Sequence, residues 1–186
     1  PLDSRGVVQH EAGGHGFGKL GDECIYHNAF IDACGCACCG HVDELSTAKS
    51  YGWYDNLSLS GKAHGVGWSH LIYDRRYSDL VDVYEGGFMH SRGVFRSEQN
   101  SCMNNSIPYY STISRESIVK RIKRYAGETF SFEDFVRNDQ TGSGASRSRA
   151  LRSAKAWSAR SASTNQYKPV IHRGSPLRMA KVRRHR

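Results

Sequence analysis

Two histidines five residues apart, with glycines between them, restrict this chain more than any other feature. The stretch reads His10-Glu11-Ala12-Gly13-Gly14-His15-Gly16-Phe17-Gly18-Lys19-Leu20-Gly21-Asp22-Glu23. On a regular α-helix a five-residue step overshoots one turn by roughly 140°, so the two rings would face different sides. A single π-type bulge widens the turn and brings them back into line, and such bulges occur mostly at functional sites. Gly13 and Gly14 stand where the extra residue must be absorbed, and glycine tolerates the distortion best. The opposing expectation is a loop whose histidines bind nothing. Each glycine at 13, 14, 16, 18 and 21 costs a helix about 1 kcal/mol relative to alanine.

The residue types are those of a catalytic zinc site: neutral nitrogens for a borderline-soft cation, a carboxylate to complete the set, and another to handle protons. His10 and His15 are the expected imidazole ligands. Glu11, directly after a ligand, would flank the metal and serve as general base. The spacing is similar to the His-Glu-x-x-x-His motif of the dipeptidyl peptidase III family. In metzincins a glycine three residues after the second histidine turns the chain, and a His or Asp six residues after it closes the site. Gly18 has the first spacing, and Asp22 misses the second by one residue. A looser turn around Gly18 and Gly21 absorbs that difference, so Asp22 is the expected third ligand. Glu23, Glu44 and Glu85 are the alternatives.

Glu11, His15, Gly18, Leu20 and Asp22-Glu23 together resemble the signature of the IgA-peptidase family of zinc metallopeptidases. Tyr84-Glu85-Gly86-Gly87, Gly93-Val94-Phe95-Arg96-Ser97 and Asn100-Ser101-Cys102-Met103 follow in the order of that family's later blocks. The likeness runs from about Gly6 to Val136. It implies an α+β, zincin-like catalytic domain over 1–136 that uses Zn²⁺ to hydrolyse a protein or peptide substrate, secreted or at the cell surface. In zincins a twisted β-sheet precedes the catalytic helix. Nothing before Ser4 can supply one, so the sequence reads as the active-site part without its upstream sheet. By the metzincin likeness, Met103 lies beneath the site and Tyr109 or Tyr110 polarises the substrate oxygen.

The rest of the chain supports a single core with an attached basic stretch. No apolar run is long enough to span a bilayer, and no signal-peptide pattern opens the sequence. Asp3 or Ser4 is a plausible cap for the first helix. Cys24, Cys34, Cys36, Cys38 and Cys39 cluster, and Cys102 stands apart. Disulfides or buried thiols are the leading expectation for them, with a second metal site, helped by His41, Asp43 and Glu44, as the minority one. Tyr51, Trp53 and Tyr54, beside Asp55-Asn56, suit either a core or a cleft wall. His64, His70 and His90 are further candidate ligands or acid–base groups.

Val81 to Phe88 alternates as a half-buried strand ahead of a Gly86-Gly87 turn. Asn100 to Tyr110 reads as an irregular loop. The spacing predicts a helix over Ser114 to Tyr125, capped by Ser114, with Ile118 and Ile122 on its apolar face. Ser131 to Asp134 opens a shorter one. After Val136 there are thirteen Lys or Arg against one acid, so the net charge of +8 arises from +12 there and −4 before it. That Ser/Arg-rich tail, 137–186, reads as disordered. Besides the endopeptidase, two readings stay open. One is a zinc-binding but inactive fragment. The other is a basic protein that binds nucleic acid or another polyanion through its tail.

Overall fold

The computed structural model describes residues 4–32 and 40–139. A short helix, α1 (Ser4–Val8), runs without a break into a π-helix (Gln9–Gly18). The expected single bulge is thus a ten-residue π-helix. Ser4 is already helical, not a cap, and Asp3 lies outside the described residues. Two glycines allow this helix to pack closely. A Cβ on Gly14 would sit 2.4 Å from the Met103 sulfur, and one on Gly6 would sit 2.2 Å from the Ser106 carbonyl oxygen. Lys19 ends the helix in the left-handed region (φ 52°). Its N–H and that of Leu20 both donate to the Gly14 carbonyl.

The sheet follows this helix in the chain. Its hub is β4 (Met89–Arg96). Strand β1 (Ile25–Phe30) runs parallel to β4, while β2 (Leu57–Ser58) and β3 (Tyr84–Gly87) run antiparallel to it. The chain reverses between β3 and β4 at Phe88 and Met89, both with positive φ (45° and 70°), and not at Gly86-Gly87 as the glycines suggested. Those two glycines belong to β3 because the strand passes close to its neighbours. A Cβ on Gly86 would lie 2.4 Å from the Ile25 side chain.

Two cores hold the elements together. Leu45 of α2 (His41–Ser50) meets Ile31, Leu57, Phe88 and Val94 on the sheet. The second core joins Trp68 and Leu71, from α3 (Ser69–Tyr73) and its lead-in, to Tyr77, Ile113 and Phe135. Burying side chains of this size stabilises by roughly 1.5–3 kcal/mol each. Helix α4 (Cys102–Asn105) is one turn inside the segment expected to be irregular. Ser101 and Asn104 cap it reciprocally, an arrangement with Asn in the place of the usual Glu.

Helix α5 (Thr112–Tyr125) begins two residues before the expected start. Ser114 is buried inside it and hydrogen-bonds Ser111 at 2.8 Å, so it is not the cap. The Glu98 carboxylate takes that role from a distance, accepting from the Thr112 N–H at 2.6 Å and its hydroxyl at 2.8 Å. The buried face carries Ile113, Glu116 and Ser117, while Ile122 is 49% exposed. Glu116 is tolerated there because His70 and Lys120 both pair with it.

Helix α6 (Phe132–Asn138) is capped by Ser131 as expected. It carries the folded part past the boundary read at Val136. Asp139 accepts from Arg115 at 2.9 Å and from the Tyr77 hydroxyl at 3.0 Å. The remainder of the basic tail and the Cys34–Cys39 tract lie outside the described residues. Cys24 and Cys102 are free thiols. Among the described residues, no helix is long and apolar enough to cross a membrane.

Candidate metal centre

In a π-helix the backbone bonds run from i to i+5, so His10 and His15 stand one turn apart on the same side. The motif's irregular spacing is regular in this geometry. His10 Nε2 lies 3.1 Å from His15 Nε2 and 3.1 Å from Asp22 Oδ1, and His15 Nε2 lies 3.5 Å from the same oxygen. Each Nδ1 is bonded to a backbone carbonyl at 2.8 Å: His10 to Cys102 and His15 to Leu20. Those bonds hold a proton on each Nδ1, so each Nε2, once it gives up the proton it shares with Asp22, presents its lone pair to the centre, the outer support expected of metal-ligating histidines. Zinc bonds of about 2.0–2.2 Å to nitrogen and oxygen in a tetrahedron imply donor separations of about 3.3–3.5 Å. The observed triangle fits that ion with little adjustment. Among the described residues it is the only group of three such donors so close together.

The electrostatics match a cation site. Burial opposes ionisation of Asp22, but hydrogen bonds from His10 and His15 outweigh it and hold the carboxyl well below the usual carboxylate range. The Asp22 bond raises both histidines above their ordinary value against the opposing effect of burial. His10 is nearly enclosed, whereas the side chains of His15 and Asp22 are 30% and 26% exposed. One side of the triangle is therefore open to solvent. Glu11 is exposed, and its charge helps to raise His15, consistent with a place at the rim and outside the ligand set.

The loop holding Asp22 is fixed by a buried polar network that the sequence did not reveal. Asn56 is fully buried and grips Gly21 twice, accepting from its N–H and donating to its C=O, both at 2.9 Å. It also donates to Glu23 Oε1 at 2.9 Å, and the Ser101 hydroxyl donates to Glu23 Oε2 at 2.5 Å. Glu23 N–H and Phe88 N–H tie the backbone to Met103 O and Asp22 O, each at 2.8 Å. Burial pushes the Glu23 carboxyl up to about 7 despite those bonds. Glu23 is a structural residue under the loop and not a ligand. Cys24 donates its S–H to Asp22 Oδ1 at 3.4 Å. Burial, then the Asp22 charge, pushes this thiol up to about 12, so it stays a neutral donor.

The other candidates divide clearly. Met103 is fully buried with its sulfur against Gly14, directly behind the π-helix. The Tyr110 hydroxyl donates to the Gln9 carbonyl at 2.5 Å and braces the helix. The Tyr109 hydroxyl donates to Glu98 at 2.7 Å, with the Arg115 guanidinium over its ring. Neither tyrosine is hydrogen-bonded to the triad. Glu85 accepts from the Gly93 N–H, Glu44 and His64 are exposed, and His70 pairs with Glu116. Tyr51 and Trp53 are exposed and 5.7 Å apart, with the Lys19 ammonium over Trp53. They form a surface beside the C-terminal end of the π-helix and not a core. No family model matches the chain, and no curated protein matches it.

Proposed function

We propose that this chain is the active-site part of a zincin-like zinc metallopeptidase, akin to the IgA-peptidase family, that hydrolyses peptide bonds of a protein substrate. The observation that carries this reading is the triangle of His10 Nε2, His15 Nε2 and Asp22 Oδ1 at 3.1, 3.1 and 3.5 Å. Two imidazoles and one carboxylate leave a four-coordinate zinc one open position, the arrangement of catalytic and not structural sites. A zinc ion bound there supplies Lewis acidity and makes a water proton removable near neutral pH. Glu11, exposed at the rim, would accept a proton there and pass it to the leaving amine. The Cys102 and Leu20 carbonyls keep both imidazoles in the tautomer that presents Nε2. The exposed Tyr51–Trp53 surface offers flat apolar area to a peptide chain.

The test compares wild type with Glu11→Gln, both zinc-loaded, on an unfolded protein substrate. Glu11→Gln keeps its zinc, and kcat falls about 10²–10⁴-fold, the usual contribution of general acid–base catalysis. Full activity in Glu11→Gln, or in His10→Ala, overturns the reading. One observation favours the second reading, a zinc-binding module without hydrolysis: the hydroxyls of Tyr109 and Tyr110 are both engaged elsewhere. Zinc binding with no turnover in the wild-type chain would select it. The polyanion reading depends on the tail beyond the described residues.

A further inference from the structure

A second pair of histidines lies where β1, β4 and the start of α2 meet. His41 Nδ1 and His90 Nε2 approach to 3.0 Å, with the ring centres 5.2 Å apart and edge to face. His41 is the first residue of α2, and His90 is fully buried on β4. One nitrogen of such a contact carries a proton and the other a lone pair. The remaining nitrogen of His90, Nδ1, is buried without a hydrogen-bond partner. A further proton on His90 therefore lands either on Nδ1, where nothing accepts it, or on Nε2, against the His41 N–H. The first pair differs on this point, since backbone carbonyls and Asp22 accept the N–H groups of His10 and His15.

We propose that this junction is an acid-operated latch: at neutral pH the His41–His90 bond holds the N-terminal end of α2 on the sheet, and once both rings are protonated two N–H groups face each other and that end of the helix lifts away. Among the described residues, the titratable groups that face His90 are His41 from α2 and His27 from β1, whose ring lies 5.9 Å away, while β3 places Gly87 opposite it. Asp43 and Glu44, in the first turn of α2, are exposed to solvent. Burial first, and then His41 and His27, draw His90 below its ordinary value, so the opened chain binds the proton more readily than the closed one. Stability from the neutral pair is complete above about 6.5 and is lost as pH falls through the folded value. Release of α2 withdraws Leu45 and uncovers Ile31, Leu57, Phe88 and Val94. The acid form thus presents an apolar face of the sheet, beginning at Phe88, whose ring meets His41 edge-on at 5.4 Å.

The experiment follows backbone hydrogen exchange of the full chain from about pH 7.5 to about pH 5, the range in which histidine changes charge. After correction for the intrinsic rate, exchange of the α2 amides is expected to rise below about 6.5 by up to about tenfold per pH unit, the slope for one proton taken up on opening. The α5 amides stay protected. His41→Gln leaves a neutral amide whose oxygen can accept from a protonated His90, and it should flatten that rise. In parallel, an NMR titration of the wild-type imidazoles should find His90 protonating below its ordinary value as α2 loses protection. No rise in wild type overturns the proposal, and so does an equal rise in His41→Gln. So does opening of α5 in step with α2, which would mean that acid unfolds the whole chain. A His90 that titrates at or above its ordinary value overturns it whether or not the variant folds. Neither His41 nor His90 belongs to the first site, so failure here leaves the reading of that site untouched.

Discussion

Two histidine pairs in this molecule have almost the same nitrogen separation, 3.1 Å at His10–His15 and 3.0 Å at His41–His90, in opposite surroundings. The first has an ionised Asp22 between its nitrogens and a carbonyl behind each ring. Among the described residues the second has no carboxylate hydrogen-bonded to it, and His90 is drawn below its ordinary value by burial, then by His41 and His27. Spacing alone therefore does not define a place for a cation. The carboxylate makes the first pair a place for positive charge, whereas at the second burial opposes a charge on His90. At the first site the sign for the metal-free protein follows. Stability from the raised histidines is complete below about 6.5 and is lost as pH rises through their folded values. Stability from the lowered Asp22 is present above about 3.9 and is lost in strong acid.

The largest effect should come from removing that difference. Asp22→Ala is expected to cut zinc affinity at His10–His15 by more than the roughly 10–100-fold that follows loss of an outer hydrogen-bond partner. Both histidines should titrate lower in NMR. Unchanged affinity would mean that Asp22 is not a ligand. A smaller effect is expected from Gly14→Ala, which forces a methyl against the Met103 sulfur. Overpacking of this kind costs about 1–3 kcal/mol, readable as a lower melting temperature. The π-helix should be less stable while the His41–His90 region is unaffected in hydrogen exchange.

A further effect, read as a slope against pH, concerns the floor of the first site. Glu23 has a folded value of about 7 against about 4.3 unfolded, so the native state binds the extra proton. Its contribution is fully present below about 4.3 and is lost as pH rises toward 7, at up to about 1.4 kcal/mol per pH unit. Glu23→Gln should flatten that part of the stability–pH curve. An unaltered slope would show that Glu23 is ionised in the fold.

The grouping at the first site could be read before the fold was known, because its three side chains are local. His10, His15 and Asp22 are close in sequence, and Gly13-Gly14 signalled a widened helix. The length of the π-helix was not readable, since it depends on Gly6 and Gly14 meeting Ser106 and Met103 from a distant segment. Long-range partners also account for Asn56, which the sequence set only beside an aromatic run and which clamps Gly21. Helix α5 misled for a related reason. Its apolar stripe suggested Ile118 and Ile122; Ile118 does pack against Gly18, but Ile122 is exposed, and Glu98, His70 and Arg115 satisfy polar groups that allow Thr112 and Glu116 to be buried instead. His90 gave no local sign of its unpartnered nitrogen, because only the pairing of β1 with β4 and the arrival of α2 create its surroundings.

The central claim is that His10, His15 and Asp22 form one zinc site. Anomalous diffraction from crystals of the zinc-loaded chain, collected on both sides of the zinc edge, tests it most directly. The account predicts a peak about 2.0–2.2 Å from His10 Nε2, His15 Nε2 and Asp22 Oδ1 together, with the Cys102 and Leu20 carbonyls still bonded to the two Nδ1 atoms. A fully loaded chain with no peak at that position, or with zinc bound through Glu11 or Glu23 in place of Asp22, would contradict it.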